Sequence, residues 1–315
     1  MTAPRLMLVD SASLYFRAFF GVPDARDSPV LPPTNAVRGF LDMVATLVER
    51  HRPTHLAACW DNDWRPAFRV AAIPSYKAHR VIEGADLGAD GAAPEQIPEG
   101  LGPQVPVIAA ALSALGLARV GVDGFEADDV IGALAVRYRG EYAVDVVTGD
   151  RDLFQLVDDD RRVRVLYTAR GGVRDADLVD QAYLQARYAV PTGARYADLA
   201  VLRGDASDGL PGVSGIGEKT AARLLAQYGD LDGLRQALDD GDPRLTGAVR
   251  ARLVAGAAYL DVAPAVVRVA VDAPVPDLDL SLPTEVADPA ALSRLAVEYG
   301  LTGPLNRVLS ALRLG

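Results

Sequence analysis

Short apolar runs alternate with longer amphipathic stretches along the first half of the chain. Four apolar runs predict buried strands, at Arg5–Asp10, Thr54–Trp60, Tyr142–Thr148 and Arg162–Tyr167. The fourth run alternates Arg and Val, which favours a strand at the edge of the sheet. Helical periodicity lies between the runs, at Ser13–Phe20, Thr34–Arg50, Pro103–Gly116 and Glu126–Tyr138, with a short strand expected between the last two. Strands that alternate with helices predict an α/β fold with a mostly parallel central sheet flanked by helices.

The second half of the chain has a different pattern. From about residue 175 the periodicity is mostly helical, so we expect an α/β core over residues 1–174 and a helical subdomain over 175–315. Two segments lack either period. Val81–Gly102 is rich in Gly, Ala, Pro and acids, which is typical of a flexible loop. The Pro- and Asp-rich stretch 272–289 predicts a loop that wraps around the fold before the last helices.

Composition places the chain among globular proteins of a reducing compartment. The sequence has no run of about 18 apolar residues, so it predicts no membrane span. The start, Met1–Leu6, is too short for a signal peptide. The single cysteine, Cys59, lies in an apolar run and is expected to be a small buried residue. These features predict a cytoplasmic, nucleoid-associated protein without an internal disulfide.

Carboxylates stand where the predicted strands end. Asp10, Asp61 and Asp150 follow strands directly, and the carboxyl ends of parallel strands share one edge of a sheet. Six further acids occur in nearby motifs: Glu126, Asp128, Asp129, Asp152, Asp205 and Asp208. Acids at a helix start also favour the helix dipole, but nine carboxylates that converge repel one another unless cations lie among them. Because Mg²⁺ and Mn²⁺ prefer such oxygens, the pattern indicates metal-dependent phosphoryl transfer.

The formal net charge of −10 argues at first against a nucleic-acid partner. Bound cations would offset much of that charge if the nine acids form a metal cluster. Most of the 32 basic residues are arginines, and only two, Lys77 and Lys219, are lysines. Both lie in the motifs described next, where a compact ammonium group is useful.

A basic cluster follows the second strand. Arg65, Arg69, Lys77 and Arg80 surround Tyr76, and a solvated charged face is the simple interpretation. Beside a metal cluster the same residues predict a phosphate clamp, with Tyr76 as a stacking surface for a base. Arg17, near Asp10, is expected to reach the same phosphate.

A glycine-rich stretch joins two predicted helices at about residues 200–228. Gly212, Gly215 and Gly217 allow a phosphate to approach the backbone, and Lys219 adds a positive charge. An ordinary glycine-rich helix connection is the alternative. We favour a helix–hairpin–helix that grips a DNA backbone without reading its sequence.

These motifs, in this order, resemble the flap endonuclease and 5′-exonuclease family. They are Val-Asp10, Tyr15-Phe-Arg17, Trp-Asp61, Phe68-Arg69, Ser75-Tyr-Lys-Ala-His-Arg80, Glu126-Ala-Asp-Asp129, Gly149-Asp-Arg-Asp152 and the Gly204–Ala222 stretch. The chain is similar to a stand-alone version of the nuclease domain at the front of bacterial DNA polymerase I. The resemblance implies a PIN-like core and a helical subdomain with the helix–hairpin–helix.

The resemblance also implies residue roles. Asp10, Asp61, Glu126, Asp128 and Asp129 would serve the catalytic metal region, and Asp150, Asp152, Asp205 and Asp208 a second one. Lys77 and Arg80 would contact the scissile phosphate, and Asp128 would be catalytic with them. The hairpin, Gly212 to Lys219 with Thr220, would bind duplex DNA, often with a potassium ion.

The function implied is a structure-selective 5′ nuclease of replication and repair, active as a 5′-3′ exonuclease and flap endonuclease. Two Mg²⁺ or Mn²⁺ ions would assist hydrolysis. The partners would be flapped, nicked or 5′-ended duplex DNA and a separate polymerase and ligase, with the enzyme a monomer. An inactive DNA-binding scaffold and a metal-dependent RNase are the alternatives. One departure is Val81–Gly102, which has no Lys or Arg where the family has a basic arch, so we expect a weaker grip on single strands.

Overall fold

A six-stranded sheet forms the centre of the protein. The computed structural model describes residues 4–24, 32–82, 84 and 94–314. The strands are β1 Arg5–Asp10, β2 His55–Trp60, β3 Ala118–Gly121, β4 Ala143–Thr148, β5 Val163–Tyr167 and β6 Asp177–Val179. Their order is β3-β2-β1-β4-β5-β6, and every neighbouring pair is parallel except β5 and β6. The predicted mostly parallel sheet is confirmed.

The predicted edge position of the fourth strand was wrong. β5 pairs with β4 on one side and with the short antiparallel β6 on the other. Its alternation has another cause, because the Arg164 Nε donates to Asp145 Oδ1 at 2.7 Å, and Asp145 is fully buried in β4. The polar positions of β5 therefore reflect an ion pair with the neighbouring strand.

Five helices of the first half surround the sheet. They are α1 Ser11–Gly21, α2 Asn35–His51, α3 Ala67–Ala72, α4 Val105–Leu115 and α5 Ala127–Tyr138. The apolar residues of α1, α2 and α4 form one buried cluster against the sheet. Those of α5 belong to a second cluster, which continues into the C-terminal helices. The four helices predicted in this half are confirmed to within two residues at each end, and α3 is an addition.

The second half of the chain is mostly helical, as expected. Its helices are α6 Gln181–Tyr188, α7 Gly193–Arg203, α8 Glu218–Tyr228, α9 Leu231–Asp239, α10 Gly247–Ala255, α11 Ala257–Val267, α12 Pro289–Glu298 and α13 Thr302–Leu312. α7 and α8 pack together on either side of the glycine turn, and α11 packs on α7 and α3. α12 and α13 instead pack on α4 and α2, so in their contacts they go with the α/β core. The boundary at residues 174 and 175 stays a prediction.

The two loop predictions have different outcomes. The stretch 272–289 wraps along β2, because Leu56 N donates to Leu280 O at 2.8 Å and Leu282 N donates to Thr54 O at 3.1 Å. Within Val81–Gly102, residues 83 and 85–93 lie outside the described residues. The described part is held at its base, where Gln96 N donates to Arg80 O at 2.7 Å.

Two further features concern single side chains and helix length. Cys59 is fully buried in β2, which confirms its prediction as a core residue. None of the helices in the described ranges has both the length and the apolar content needed to span a bilayer.

Candidate active site

Three strands end at one cleft, as the position of their acids predicted. Asp10 is the last residue of β1, Asp61 follows β2, and Asp150 lies two residues beyond β4. The cleft has a volume of about 680 Å³. Its charged lining includes Asp10, Asp61, Glu126, Asp128 and Asp150 together with Lys77 and Arg80. Five of the nine predicted acids therefore meet there, beside two of the predicted phosphate-binding cations.

Asp10 is fixed by both of its carboxylate oxygens. As the N-cap of α1 it accepts a hydrogen bond from Ser13 N at 3.0 Å, and Thr148 Oγ1 donates to the other oxygen at 2.7 Å. Burial raises the pKa of Asp10 to about 7, with smaller contributions from the charges of Asp61 and Asp150, although the two hydrogen bonds oppose the rise. The site therefore holds Asp10 in place at an electrostatic cost.

Asp128 is under the same repulsion. It lies in the first turn of α5, where burial and the charges of Asp10 and Asp150 raise its pKa well above the ordinary value. Asp61 approaches the same helix end and accepts a hydrogen bond from Ala127 N at 2.8 Å. Burial also raises the pKa of Asp61, against the opposing charge of Lys77. The cleft carries more negative charge than its own cations offset.

Glu126 has cationic and hydroxyl partners. Lys77 Nζ donates to its Oε2 at 2.8 Å, and Tyr76 Oη donates to its Oε1 at 2.8 Å. Burial raises the pKa of Glu126 to about 7 even though Lys77 and Arg69 lower it. The carboxylate is therefore oriented from the side of the basic loop.

Asp129 does not join the cleft, which corrects its prediction as a metal-region ligand. Arg69 donates to both carboxylate oxygens at 2.7 and 2.6 Å. Two backbone amides complete the set, Ala270 N at 2.7 Å and Glu126 N at 3.2 Å. Because Asp129 is fully buried and its oxygens are all engaged, it positions the start of α5 instead of binding an ion.

Tyr76 also departs from its predicted role. Only 4% of the residue is exposed, so its ring offers no face to a base, and the predicted stacking surface was wrong. The ring lies between two cations, with Arg69 Cζ and Lys77 Nζ at 5.9 and 5.1 Å from its centroid. Tyr76 therefore orients Glu126 through its hydroxyl group and Lys77 through the face of its ring.

A second group of acids adjoins the cleft through Asp150. Burial and the charges of Asp150, Asp208 and Asp205 raise the pKa of Asp152 well above its ordinary value. Asp205 accepts hydrogen bonds from the amide and hydroxyl of Ser207, and Asp208 accepts one from Arg80 Nη2 at 2.7 Å. These four acids therefore lie near one another beside the cleft, and their role as a second metal region stays a prediction.

The donor chemistry fits hard divalent cations. The oxygens of Asp10, Glu126, Asp128 and Asp150 face one cleft, and the raised pKa values of Asp10 and Asp128 reflect burial and charge repulsion that a cation relieves. In the described ranges, no three His, Cys, Asp or Glu side chains are already arranged closely enough to hold an ion. The individual ligand assignments stay predictions.

The basic cluster divides into cleft and supporting residues. Lys77 and Arg80 line the cleft. Arg65 donates to the carbonyls of Tyr76 at 2.6 Å and Pro74 at 2.9 Å, so it shapes their loop. Arg17 donates to Ala169 O at 3.3 Å and is not among the residues that line the cleft. Its predicted phosphate contact remains a prediction.

The hairpin between α7 and α8 has the predicted close turns. Gly212 has a φ of +64°, and an added Cβ would lie 2.4 Å from Arg203 O. Gly215 has a φ of +76°, and its carbonyl accepts a hydrogen bond from Arg252 Nη1 at 3.0 Å. Lys219 is exposed on the first turn of α8, after Gly217, whose carbonyl accepts from Thr220 N at 3.0 Å. The turn therefore presents backbone and one cation to solvent.

The hairpin and the basic loop are joined directly. Lys77 N donates to Asp208 O at 2.9 Å, and Ser75 Oγ donates to Gly209 O at 2.8 Å. The chain that leads into the hairpin is thus held against the loop that carries the cleft cations.

Three site residues were missed in the sequence. Thr148 orients Asp10, and Ser13 Oγ accepts from Gly149 N at 2.7 Å. The sequence did contain a signal for each residue, because Thr148 is a polar residue at the end of a predicted strand and Ser13 is a polar residue at the start of a predicted helix. Glu95 lines the cleft from the segment 94–97, which the composition alone did not connect to the site.

Comparisons with known proteins agree with this geometry. The family 5′-3′ exonuclease, N-terminal resolvase-like domain, matches residues 5–189 of the sequence. The family 5′-3′ exonuclease, C-terminal SAM fold, matches residues 191–289. A 5′-3′ exonuclease of Streptomyces coelicolor is 59% identical over 306 residues, 97% of this chain and 99% of that protein.

A polymerase and a solved structure extend the comparison. DNA polymerase I of Mycobacterium bovis is 40% identical over 253 residues, which are 79% of this chain and 26% of the polymerase. The bacteriophage T5 D15 flap endonuclease, in a pseudo-enzyme-product complex with DNA and metal ions, has a TM-score of 0.62 at 19% identity. That match covers 98% of this chain and 99% of the T5 chain, and it shows the fold.

The resemblance drawn from the sequence motifs is therefore confirmed. A parallel sheet whose acids meet at one cleft is followed by a glycine hairpin between helices, and both parts match the same family. The chain belongs to the 5′-3′ exonuclease family.

Proposed function

We propose that the chain is a divalent-metal-dependent 5′ nuclease that hydrolyses phosphodiester bonds of DNA at 5′ ends and flaps. One observation carries the proposal: five of the nine predicted carboxylates, with Glu95 as a sixth, face a single cleft beside Lys77 and Arg80. Their mutual repulsion calls for added positive charge. Two fixed cations at the same place suit a phosphate.

The metal-binding residues of the catalytic region would be Asp10, Glu126, Asp128 and Asp150, with Asp61 behind them. Asp152, Asp205 and Asp208 would hold the second region. A bound Mg²⁺ or Mn²⁺ ion supplies a nucleophilic water at neutral pH and stabilises the leaving oxygen. The buried hydrogen bonds to Asp10 and Asp61 keep these carboxylates in place whether or not an ion is bound.

Lys77 and Arg80 would neutralise the charge that grows on the phosphoryl oxygens. Lys77 has three donors and directs one to Glu126 at 2.8 Å and one to Trp64 O at 3.4 Å, so a third can bind a phosphate without releasing the carboxylate. Arg80 uses Nη2 on Asp208 and retains donors for a second partner. Both cations are therefore positioned by acids of the two metal regions.

The hairpin would hold the duplex next to the cleft. Gly217 and Lys219 lie exposed at the start of α8, where free amides and a cation suit a phosphate backbone. A potassium ion at this turn is part of the proposal. The T5 relative of the same fold was solved with DNA and metal ions, which supports this arrangement.

The cellular context is also part of the proposal. The polymerase relative carries its matching region as about a quarter of its length. The exonuclease relative carries its matching region as 99% of its own length. A separate polymerase and ligase as functional partners, and a monomeric state, are further parts of the proposal. Its place would be the cytoplasm, on nucleoid DNA under replication or repair.

Product mapping tests the proposal. The substrates are 5′-labelled flap, nicked and blunt duplexes with Mg²⁺ or Mn²⁺, and an RNA flap of the same sequence competes. Short 5′ products from the DNA flap and nick, lost with EDTA, are expected. DNA binding without any product would favour the inactive scaffold, and preferred cleavage of RNA would favour the ribonuclease.

A further inference from the structure

Glu95 belongs to the cleft although its segment comes from outside the sheet. The backbone of residues 94–96 pairs with that of 80–82, through an antiparallel bridge between Val81 and Glu95. Ile82 N donates to Pro94 O at 3.2 Å, and Gln96 N donates to Arg80 O at 2.7 Å. Glu95 is thereby held beside the chain that carries Arg80, and it lines the cleft.

The surroundings of Glu95 are cationic on one side. Arg80 and Lys77 favour its charged form, and Asp61 opposes it, while burial raises its pKa. Tyr15 also lines the cleft, and its pKa is raised mainly by burial, with a smaller contribution from the charge of Glu95. Arg80 therefore has Asp208 as an ion-pair partner at 2.7 Å, and it also lies within the electrostatic reach of Glu95, which is paired through its backbone with the adjacent Val81.

We propose that Glu95 is a specificity-determining residue, whose negative charge near Arg80 weakens the attraction of that cation for a substrate phosphate. The inference rests on the proposed nuclease function and explains how the same cleft would discriminate a strand attached to a duplex from a bare single strand. A phosphate near Arg80 meets the repulsion of Glu95, so a bare single strand binds weakly. A strand attached to a duplex gains compensating contacts at the hairpin, which single-stranded DNA lacks.

This role differs from that of the acids along the strand ends. Glu95 reaches the cleft from outside the sheet, on a part of the chain that also contributes the apolar lining residues Ile97, Leu101 and Val105. Its backbone is fixed by pairing with residues 80–82 and not by the sheet. Its negative charge therefore opposes the binding of any phosphate at Arg80. Only DNA whose duplex part also binds the hairpin recovers the lost affinity, so the cleft favours single strands that are attached to a duplex.

The test compares three variants with wild type. Glu95→Gln removes the charge with little change in shape, and Glu95→Asp keeps the charge. The control is Glu99→Gln, which makes the same change at an exposed position of the same segment. Dissociation constants are measured by fluorescence anisotropy for single-stranded DNA and for a flap duplex, with Ca²⁺ in place of Mg²⁺. The kcat on the flap is measured with Mg²⁺.

Glu95→Gln is expected to bind single-stranded DNA about two- to fivefold more tightly at low salt, with a smaller gain on the flap duplex, whereas the control Glu99→Gln should keep the kcat of wild type. Glu95→Asp and Glu99→Gln are expected to match wild type. The gain should disappear at high ionic strength, because salt screens a partly exposed charge.

Two results would overturn the inference while leaving the nuclease in place. One is equal affinities for Glu95→Gln and Glu99→Gln, and the other is a higher Mg²⁺ requirement for Glu95→Gln, which would make Glu95 a metal ligand. A wild-type protein that neither binds nor cleaves the flap would overturn the proposed function and this inference with it.

Discussion

Arg69 donates hydrogen bonds from two guanidinium nitrogens to the two carboxylate oxygens of Asp129, at 2.7 and 2.6 Å. The side chain of Arg69 is 3% exposed and that of Asp129 is 0% exposed. The pair links α3 to the start of α5, immediately beside the cleft acids. Asp128, the preceding residue, faces the cleft instead. Adjacent carboxylates of one motif therefore have different tasks, one structural and one open to chemistry.

Replacing Asp129 should cost stability and not metal affinity. Asp129→Asn leaves the buried guanidinium of Arg69 with only the more distant carboxylate of Glu126, at 3.7 Å, and the loss of a buried ion-pair partner typically costs about 3 to 5 kcal/mol. Urea unfolding gives the free energy, and the Mg²⁺ dependence of cleavage by the remaining folded protein gives the metal requirement. A stable variant that needs much more Mg²⁺ would show that Asp129 is a ligand after all.

The hydroxyl of Tyr76 should matter more than its ring for chemistry. Tyr76→Phe keeps the buried ring and removes the hydrogen bond to Glu126, so kcat is expected to fall about tenfold. The Kd for a flap duplex should stay the same, because the ring is not exposed. A raised Kd with an unchanged kcat would restore the role of Tyr76 as a DNA contact.

The repulsion among the cleft acids should appear as a pH-dependent stability. The pKa of Asp10 is about 7 and that of Asp128 is well above normal, so the folded protein binds protons that the unfolded chain has lost. In EDTA this favourable term is complete below about pH 4 and is lost as the pH rises through about 7. Asp128→Asn should therefore melt at a higher temperature than wild type at pH 8.

That difference should shrink at pH 5, and it should also shrink when Mg²⁺ is added to both proteins. Thermal melts with and without EDTA measure it. An Asp128→Asn variant that is less stable than wild type at pH 8 without metal would contradict the electrostatic account of the cleft.

The hairpin gives a test of DNA binding that leaves the chemistry alone. In Gly215→Ala the new Cβ would lie 2.7 Å from Arg252 Nε, so the Arg252 side chain must move away from the carbonyl of residue 215 that it holds. The turn loses that support, and flap binding should weaken about tenfold. Gly229→Ala is the matched control, since Gly229 has a φ of +87° but no atom within 4 Å of an added Cβ. Both variants carry backbone strain, and only the first disturbs the turn.

Lys219→Met should raise the Kd and reduce the salt slope of binding by about one. Equal affinities for Gly215→Ala and Gly229→Ala, measured by anisotropy, would place the duplex contact elsewhere.

Much of this arrangement could be predicted from the sequence because it depends on short-range patterns. Asp10, Asp61 and Asp150 follow apolar runs, and parallel strands bring their ends together. The glycine hairpin could be predicted too, since its turns need glycine at Gly212 and Gly215. These features follow from local conformation and one rule of sheet topology.

The failures concern side chains whose surroundings come from distant segments. Tyr76 and Asp129 are buried by residues 50 or more positions away, such as Glu126 and Arg69, and no local pattern records that. β6 has only three residues, too few for a period, so β5 appeared to be an edge strand. Burial and pairing across the fold decide these cases.

The most direct test of the central claim is Mg²⁺-dependent cleavage of a 5′-labelled flap duplex by wild type and Asp128→Asn. The account predicts release of short 5′ products by wild type and a loss of about a thousandfold or more in the variant, with flap binding retained or improved. Asp239→Asn, the same change at an exposed position on α9, should cleave like wild type. Turnover by Asp128→Asn with Mg²⁺ close to that of wild type would contradict the account.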